Sequence, residues 1–497
     1  MCGIFYIIYL TDKYKNINLD IDYIIEKIKY RGPDFTNIIK DRNKIMVHTL
    51  LAIQGYNPQP YKTNNGYILF NGEIYGKSKI GDNNYDLLNV SECEFINDTL
   101  INNTLELLDG EYVINHILDN ELHIITDPFY TKPFCYYIDD DIFIGSSYES
   151  CISKTLNILN INININFLKP NTHYYFNFNT GNKKESEIIK WDFEPRYNNF
   201  ERWNIAFENA INKRTNTDKG IFVPLSSGYD SGCIVSSLLK LNKTFESYTF
   251  KGKENIHILE SRRKLIEINN KFIYINPKEN IEEKYNEFFN RIENYTAYHY
   301  DGLPYADIYE AWSCFGIYQI FQQARYNNNI IFLSGHGGDE IFSDYGNEEN
   351  KSASVIDMNY KDVRSKWPNF DASYGRNIIQ MFERVAGCYG IESRYPFLDK
   401  HVVQEFLWLN DNIKNSEFKQ CLAQYMRLNK FPFIENKKCS VRVITDEEGG
   451  NDFFFNIANK IKKKHNYKDI IYPKYNGINK SLYRPNGNFK PVIKYYP

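Results

Sequence analysis

The stretch that decides the fold of the second half of the chain is GIFVPLSSGYDSG, residues 220–232. Its first six residues form a continuous apolar run, which is typical of a strand buried in a parallel sheet. The small residues that follow lead into a helical run, Cys233–Leu239. Such a loop, at the carboxyl end of a strand, exposes backbone N–H groups and the positive end of a helix dipole. The stretch therefore predicts an anion site.

A second apolar strand, Ile330–Leu333, leads into a similar loop of small residues that contains Asp339. Asp230 and Asp339 are expected to converge on one Mg2+ together with the bound anion, because Mg2+ binds one or two carboxylates together with phosphate oxygens. Lys419 and Lys438 are candidates to neutralise phosphate charge, although each is equally well explained as a solvated surface lysine. No Gly-x-x-x-x-Gly-Lys-Ser/Thr motif is present, which excludes a Walker-type loop.

The chain begins Met1-Cys2-Gly3, and removal of Met1 would leave a thiol and a free α-amine on one residue. An α-amine titrates at about pH 7.7–8.0, so part of it is an available base near neutral pH. A nucleophile activated by its own N-terminal amine is a complete catalytic unit. The alternative is that Cys2 is an ordinary buried residue of a first strand.

Two further motifs follow in the first part of the chain. Arg31-Gly32-Pro33-Asp34 comes after a helix-like stretch with isoleucines on one face, and the apolar strand Tyr67–Phe70 ends in Asn71-Gly72. An amide side chain beside an unobstructed backbone N–H can form an oxyanion hole for acyl transfer. Taken alone, however, Asn-Gly is more often a turn.

The order of the predicted elements divides the chain. Short strands with few helices between them predict a β-rich α+β sandwich at the N-terminus. After a linker-like segment, Asp192–Tyr197, the repeated order of strand, loop and helix predicts a parallel α/β sheet, beginning with a helix near Trp203–Asn212. We predict domains at residues 2–190 and 200–465, with a loosely packed tail at 466–497. The predicted N-terminal strands are Cys2–Tyr9, Ile45–His48, Tyr67–Phe70, Glu111–Leu118, His123–Thr126, Ile142–Ile144 and His173–Phe178.

Composition excludes several functional classes. The 497 residues carry a formal net charge of −3 with the charges interspersed, which argues against binding nucleic acid or a membrane surface through bulk electrostatics. Nine cysteines without a Cys-x-x-Cys pair argue against a disulfide framework and a structural zinc site. The apolar run Ile4–Leu10 is too short to span a membrane and lacks the pattern of a signal peptide. A cytoplasmic, reducing location is therefore expected.

The N-terminal motifs, taken in order, resemble those of the class II glutamine amidotransferases, a subset of the N-terminal nucleophile hydrolases. The loop Ser226–Ser231 resembles the pyrophosphate loop of ATP pyrophosphatases, with Ser227 where that family usually has glycine. The segment Gly390–Lys400, GIESRYPFLDK, is similar to a motif of the asparagine synthetases. Together these motifs resemble the glutamine-dependent asparagine synthetase family over residues 2 to about 440.

The resemblance implies an N-terminal nucleophile hydrolase sandwich that releases ammonia from glutamine, and a Rossmann-like ATP-pyrophosphatase domain that uses ATP and Mg2+ to activate aspartate. It also implies an ammonia tunnel, and a homodimer is possible. The implied catalytic residues are Cys2, Asn71, Gly72 and His336. The implied glutamine-binding residues are Arg31, Leu50, Ile53, Asn71, Gly72, Glu73 and Glu92. The implied ATP-binding residues are Leu225, Ser226, Ser227, Gly228, Asp230, Ser231, Phe250, Ser334, Gly335, Lys419 and Lys438, with Asp230 and Asp339 as metal ligands.

Three positions depart from the family's pattern. Leu50 stands where an arginine holds the glutamine carboxylate, which removes a charge-assisted contact of about 1.5–3 kcal/mol, and Arg31 is the candidate to compensate. Glu92 replaces an aspartate and is one methylene longer. His336 replaces a glutamate associated with ammonia attack, and a histidine can act as a base near neutral pH. Relatives that vary this last position, such as β-lactam synthetases and lasso-peptide cyclases, join an internal or peptide amine instead of ammonia. The alternative is that His336 reflects drift in a site that still makes asparagine.

Three hypotheses follow. The leading one is a glutamine-hydrolysing asparagine synthetase that forms an aspartyl-adenylate and releases AMP and pyrophosphate. The second is an amide-forming ligase with an impaired glutaminase, which uses free ammonia or another amine. The third is a catalytically silent relative that serves as a scaffold. Against the third, Cys2, Asn71-Gly72, Asp230 and Asp339 are all present.

Overall fold

The computed structural model describes residues 1–80, 83–86, 91–250, 254–277, 279–298, 304–342, 373–414, 416–435, 450–465 and 467. These residues divide into two compact units. The first consists of Met1–Lys190 together with the segment Ala386–Glu392. The second consists of Trp191–Val385 and the described residues from Ser393 onward. The tail predicted from residue 466 falls outside the described residues, apart from Tyr467.

The first unit contains two six-stranded antiparallel sheets, one with the strand order β12-β10-β11-β1-β3-β2 and the other with the order β14-β13-β9-β8-β5-β4. The strands are β1 Gly3–Tyr9, β2 Phe35–Asp41, β3 Lys44–Leu50, β4 Tyr61–Lys62, β5 Gly66–Ile74, β6 Lys77–Ile80, β7 Asn83–Asp86, β8 Gly110–Leu118, β9 Glu121–Thr126, β10 Cys135–Ile138, β11 Ile142–Ser146, β12 Asn166–Phe167, β13 Thr172–Asn177 and β14 Asn182–Glu187. The helices are α1 Ile21–Ile28, α2 Glu92–Ile101 and α3 Glu149–Ile158, with a 3-10 turn at Leu105–Leu107.

Alternation along the strands builds the layers of this unit. Ile4, Tyr6 and Ile8 of β1 face inward and pack in one core with alternate residues of β8, β9 and β13 from the other sheet. Residues of β1 on the opposite face pack with α1 and α3, and the outer face of the second sheet packs with α2. The result is a helix-sheet-sheet-helix sandwich, which confirms the predicted α+β fold.

Every predicted N-terminal strand is present, but the boundary after Phe70 is wrong. Strand β5 does not end there; it continues to Ile74 and pairs Gly72 with Tyr112 of β8. Gly72 has φ +133°, and a Cβ atom at this position would overlap the carbonyl oxygen of Glu111. Asn71-Gly72 is therefore not a turn but an irregular site within a strand, where only glycine permits the close approach of β8.

Three histidines occupy neighbouring strands on the outer face of the second sheet. His116 lies opposite His123, and Nδ1 of His123 lies 2.9 Å from Nε2 of His173. Burial lowers the pKa of each of the three imidazoles to about 4, so all three are neutral at pH 7.

This cluster predicts acid sensitivity of the first unit. An unfolded histidine titrates at about 6.5, so below that pH the unfolded chain binds protons before the folded chain does. The histidines' contribution to stability is complete above pH 6.5, and it should fall as the pH drops toward 4, by about 2 kcal/mol for each histidine at pH 5. In melting curves at pH 7 and 5, His123→Gln should reduce the acid-induced drop in Tm. The exposed His257→Gln should leave the drop unchanged, and an equal drop in both variants would contradict the prediction.

The second unit is built on a five-stranded sheet with the order β17-β16-β15-β20-β21, in which neighbouring strands from β17 to β20 are parallel. This confirms the predicted parallel α/β sheet. The strands are β15 Gly220–Pro224, β16 Glu246–Phe250, β17 Lys271–Ile275, β18 Thr296–Tyr298, β19 Pro304–Asp307, β20 Asn329–Leu333 and β21 Glu392–Arg394. The helices are α4 Glu201–Arg214, α5 Tyr229–Lys240, α6 Ile256–Ile266, α7 Ile281–Arg291, α8 Trp312–Tyr326, α9 Gly338–Phe342, α10 Ser373–Gly387, α11 Lys400–Leu407, α12 Asp411–Lys414, α13 Gln420–Leu428 and α14 Gly450–Lys464, with a 3-10 turn at Pro396–Leu398.

Helix α5 begins earlier than the sequence predicts. The apolar run suggested a start at Cys233, but the first helical residue is Tyr229, so Asp230 lies in the first turn. Asp339 lies in the first turn of α9 in the same way. An acidic residue in a first turn is favourable because it faces the positive end of the helix dipole. Within the described part of the chain, no helix is long and apolar enough to cross a membrane.

Candidate active sites

The N-terminal cysteine lies at the centre of the first site. Cys2 is buried, and its backbone nitrogen donates to Oδ1 of Asn71 at 2.7 Å. The side chain of Arg31 is also fully buried, and its Nε donates to the carbonyl oxygen of Cys2 at 2.9 Å. Three parts of the sequence-predicted site, far apart along the chain, therefore meet at one residue.

Two hydrogen-bond donors lie side by side on β5. Nδ2 of Asn71 is buried without a hydrogen-bond partner among the described residues. The N–H and C=O of Tyr112 bond with Asp127, so the Gly72–Tyr112 pair is of the non-hydrogen-bonded kind and the Gly72 N–H points away from β8. On that side, Gln59 accepts from Phe70 N and Glu92 accepts from Ile74 N. Gly72 lies between these two bonded positions.

The Cys2 thiol needs a base to become a thiolate near neutral pH. Burial raises the pKa of the Cys2 thiol, the nearby N-terminal ammonium and the Leu51 N–H lower it, and Glu392 and Glu73 raise it again. His48, on the adjacent strand β3, is a poor base because burial lowers its pKa to about 3. The N-terminal amine is the group chemically suited to accept the thiol proton.

An ion-pair cluster around the N-terminus was not foreseen from the sequence. The α-ammonium of Met1 pairs with the Glu392 carboxylate, which also pairs with Nζ of Lys132 at 2.7 Å. Burial would raise the pKa of Glu392, but Lys132 and the ammonium outweigh it and lower that pKa to about 2. Glu392 belongs to the GIESRYPFLDK motif, which drew attention to this residue. Nothing in the motif predicts that Glu392 pairs with Met1 and Lys132.

The remaining glutamine-site candidates are all described. Nη1 of Arg31 donates to the Tyr148 hydroxyl at 3.3 Å. Glu92 begins α2, and its carboxylate is 2.8 Å from the Ile74 nitrogen, so one of its oxygens binds backbone. Leu50, Ile53 and Glu73 are buried. The buried Leu50 side chain, at the last position of β3, supplies no charge for a substrate carboxylate.

Leu50→Arg is therefore expected to lower the KM for glutamine, by about 10- to 100-fold if the guanidinium pairs with the substrate carboxylate. Leu50→Met, which preserves volume and adds no charge, is the matched control and should leave the KM unchanged. The measurement is steady-state glutaminase kinetics. Tight glutamine binding in the wild type together with a harmful Leu50→Arg would show that another residue, with Arg31 the first suspect, binds the carboxylate.

The second site is centred on Lys419, immediately before α13. Its buried Nζ lies 2.6 Å from Oδ1 of Asp230 and 2.6 Å from Oδ1 of Asp339. Burial alone would lower the pKa of Lys419, but the two carboxylates outweigh it and raise that pKa. A Cβ atom at Gly338 would overlap Asp230 Oδ1, which explains why small residues are needed where the two helix starts approach each other.

Internal hydrogen bonds shape the loop before α5. Oγ of Ser226 accepts from Gly228 N at 3.0 Å, and Oγ of Ser231 accepts from Ser226 N at 3.1 Å. The Ser227 N–H donates to the Glu254 carboxylate at 2.7 Å, so this expected phosphate donor already has a protein partner. The first-turn amides of α5, from Tyr229 onward, have no acceptor within the helix and are the donors best suited to an anion.

His336 lies in the second loop. Its Nδ1 is 2.6 Å from Ser334 Oγ, and its ring lies edge-on to Phe382 with centroids 4.7 Å apart. Burial lowers the pKa of His336 to about 4, so the ring is neutral at pH 7 and a weaker base than a free histidine. The neighbouring Gly335 lies close to Asp230. A Cβ atom on Gly335 would be 3.0 Å from Asp230 Cβ.

The other expected ATP-site residues divide into two groups. Leu225 and Phe250 are buried at the carboxyl ends of β15 and β16, next to the loop. Lys438 lies outside the described residues.

Asp230 and Asp339 are the candidate metal ligands, because their carboxylates lie close together around Lys419. Two such carboxylates suit Mg2+, which completes its shell with phosphate oxygens and water. No cluster of three or more potential metal-ligating side chains occurs within the described ranges.

Two models of known protein families match separate parts of the chain. Residues 1–187 match a model described as glutamine amidotransferase domain, and residues 202–374 match a model described as asparagine synthase. A protein of Methanocaldococcus jannaschii, whose name places it among the glutamine-hydrolysing asparagine synthetases, is 24% identical to this chain. The match covers 84% of this chain and 82% of the relative's length. The asparagine synthetase of Gallus gallus is 23% identical over 80% and 76%, respectively.

Similarity to solved structures is weaker. The glutamine phosphoribosylpyrophosphate amidotransferase from B. subtilis covers 57% of this chain and 70% of its own at 12% identity. Its TM-score of 0.25 is too low to establish a common fold. The family models and the curated relatives, which extend over both units, therefore carry the comparison.

Proposed function

Since the chain belongs to the glutamine-dependent asparagine synthetase family, whose members are ATP-dependent ligases, we propose that it converts aspartate to asparagine with ammonia taken from glutamine. The products are asparagine, glutamate, AMP and pyrophosphate. The observation that carries the proposal is the convergence of Asp230 and Asp339 on Lys419 at two helix starts. A glutamine site without an ATP site would need no such arrangement.

The first half-reaction uses Cys2 after removal of Met1. The α-amine accepts the thiol proton, and the thiolate attacks the side-chain carbonyl of glutamine. Negative charge then develops on the carbonyl oxygen, where the Asn71 Nδ2 and the Gly72 N–H are the proposed donors. The amine returns the proton to the leaving nitrogen, which departs as ammonia. Water hydrolyses the thioester and releases glutamate and the free thiol.

The second half-reaction uses the loop and the two acids. A carboxylate oxygen of aspartate attacks the α-phosphorus of ATP, and pyrophosphate leaves with its negative charge near the first-turn amides of α5. Lys419 holds Asp230 and Asp339 together and supplies positive charge. Mg2+ held by these two carboxylates would neutralise the phosphate oxygens. Ammonia then attacks the acyl carbon of the aspartyl-adenylate, giving asparagine, AMP and a proton.

A second candidate function is favoured by two observations. Leu50 is buried and uncharged where a glutamine carboxylate needs a partner, and His336 is neutral and weakly basic where the family has a glutamate. Both differences suit an amide-forming ligase that takes free ammonia or another amine. Such an enzyme would still form AMP and pyrophosphate at the second site.

The test is a pyrophosphate-release assay over a panel of carboxylates, with glutamine or ammonium as the nitrogen source. Aspartate-dependent pyrophosphate with either source supports the asparagine synthetase. Aspartate-dependent pyrophosphate with ammonium alone supports the second candidate, and dependence on another carboxylate names a different acceptor. Absence of pyrophosphate with every carboxylate would overturn both functions.

A further inference from the structure

A buried arginine lies directly behind the loop that precedes α5. Arg262, on α6, is fully buried, and its Nη1 donates to the carbonyl oxygens of Ser226 and of Gly228, the latter at 3.0 Å. Its Nε donates to the Pro432 carbonyl oxygen at 2.9 Å. One guanidinium therefore binds three backbone carbonyls, two of them in the loop.

These contacts set the direction of the loop's peptide groups. In a trans peptide the C=O and the following N–H point in opposite directions. Because the Gly228 carbonyl faces Arg262, the N–H of Tyr229, the first residue of α5, points away from the guanidinium. Arg262 therefore fixes the peptide that joins the loop to the helix, and the N–H of this peptide is the first of the first-turn amides of α5.

A glycine on helix α5 makes room for the Arg262 side chain. A Cβ atom at Gly232 would overlap Nη2 of Arg262 and would lie 2.7 Å from its Cζ. Glycine inside a helix costs about 1 kcal/mol relative to alanine, so α5 gives up helix propensity where the guanidinium needs space. The two positions thus act as one unit.

Arg262 also connects the loop to the segment that follows α13. Its guanidinium lies 5.1 Å from the centroid of the Phe431 ring, next to the Pro432 carbonyl that it binds. From the other side, the Tyr229 hydroxyl donates to the Ile434 carbonyl at 2.7 Å. Lys419, which holds the two acids, immediately precedes α13. Helix α13 therefore connects this lysine to the segment that contacts Arg262 and the loop.

We propose that Arg262 is a positioning residue for ATP, which orients the first amide of α5 from behind and places a buried positive charge near the pyrophosphate group without contacting it. The proposal rests on the proposed ATP site but concerns a residue outside the expected motif. Charge-assisted hydrogen bonds to carbonyls are about twice as strong as neutral ones. Loss of the guanidinium should therefore change the position of the loop and of the first amide of α5.

The test compares Arg262→Met with Arg262→Lys and with Arg263→Met, a half-exposed neighbour on the same helix that pairs with Glu260. Binding of magnesium-bound α,β-methylene-ATP is measured by calorimetry, and pyrophosphate release gives kcat and KM. Arg262→Met should weaken nucleotide binding and lower kcat/KM by about 10- to 100-fold, and Arg262→Lys should fall between it and the wild type. Arg263→Met should match the wild type.

Coupling with Gly232 separates positioning from general damage. Gly232→Ala alone should reproduce the loss in nucleotide binding, because the methyl group displaces the guanidinium. In the Arg262→Met background the same change should cost less than threefold, because the space is then shared with a flexible side chain. Independent, multiplying effects of the two changes would overturn the proposal.

Two outcomes remain decisive if a variant is unstable or the reaction fails. If Arg262→Met does not fold, Arg262→Lys carries the test, and wild-type binding and kcat/KM in that variant would overturn the proposal. If the wild type releases no pyrophosphate, the proposed function has failed. Nucleotide binding still decides the role of Arg262, since equal affinities of the wild type and a folded Arg262→Met would refute it.

Discussion

Cys2→Ala is expected to abolish glutamine hydrolysis, by at least about 10³-fold, while ammonium-supported pyrophosphate release continues. The thiol and the α-amine belong to one residue, and that residue lies in the first unit with Asn71. Asp230 and Asp339, the proposed acids of the ATP site, belong to the second unit. Loss of the thiol therefore removes one half-reaction and leaves the other intact.

Cys93→Ala is the matched control for this experiment. Cys93 is a second buried thiol of the same unit, close enough to Cys2 for the charge of the Cys2 thiolate to raise the pKa of Cys93, after the larger effect of burial. It has no place in the proposed chemistry, so glutaminase activity should persist in this variant. Equal loss in both variants would point to general damage.

Intact-mass analysis tests whether the α-amine of Cys2 is the base. The active wild type should be a chain without Met1. In the structure the Met1 ammonium is paired with Glu392, and removal of Met1 would free that carboxylate to pair with the new N-terminus. Full glutaminase activity in a protein that retains Met1 would contradict the N-terminal-amine mechanism.

Asp230→Asn is expected to abolish pyrophosphate release with either nitrogen source, whereas glutamine hydrolysis at Cys2 continues. Asparagine has nearly the same shape as aspartate but no charge, so Lys419 keeps Asp339 as a charged partner, and the proposed metal ligand set loses one carboxylate. We expect a fall of about 10³-fold or more in pyrophosphate formation, since electrostatic stabilisation of the leaving group is often the largest catalytic contribution.

Asp218→Asn is the control, because this exposed acid near the start of β15 pairs only loosely with Lys219. Pyrophosphate release in that variant should equal that of the wild type. The products must also be identified by chromatography. ADP and phosphate in place of AMP and pyrophosphate, or a normal rate in Asp230→Asn, would show that the second site has another chemistry.

Sequence patterns were sufficient for the architecture because they are local. The alternation of β1 and the apolar run of β15 each reflect the burial of their own side chains, and both strands are present. The boundaries that failed depend on contacts with distant chain. Strand β5 continues through Gly72 because β8 pairs with it there, and α5 begins at Tyr229 on a loop that Arg262 and Glu254 hold in place.

Residue types and spacing were enough to predict a nucleophile, two acids and the small-residue loops, since these chemical roles are restricted to a few side chains. Tertiary structure alone brought Lys419 between Asp230 and Asp339, paired the N-terminus with Glu392, and buried Arg262 behind the loop that precedes α5. Each of these contacts joins positions that are tens to hundreds of residues apart and requires a buried charge to find partners. The free energy of burying a charge depends on the whole surrounding fold, which no local pattern encodes.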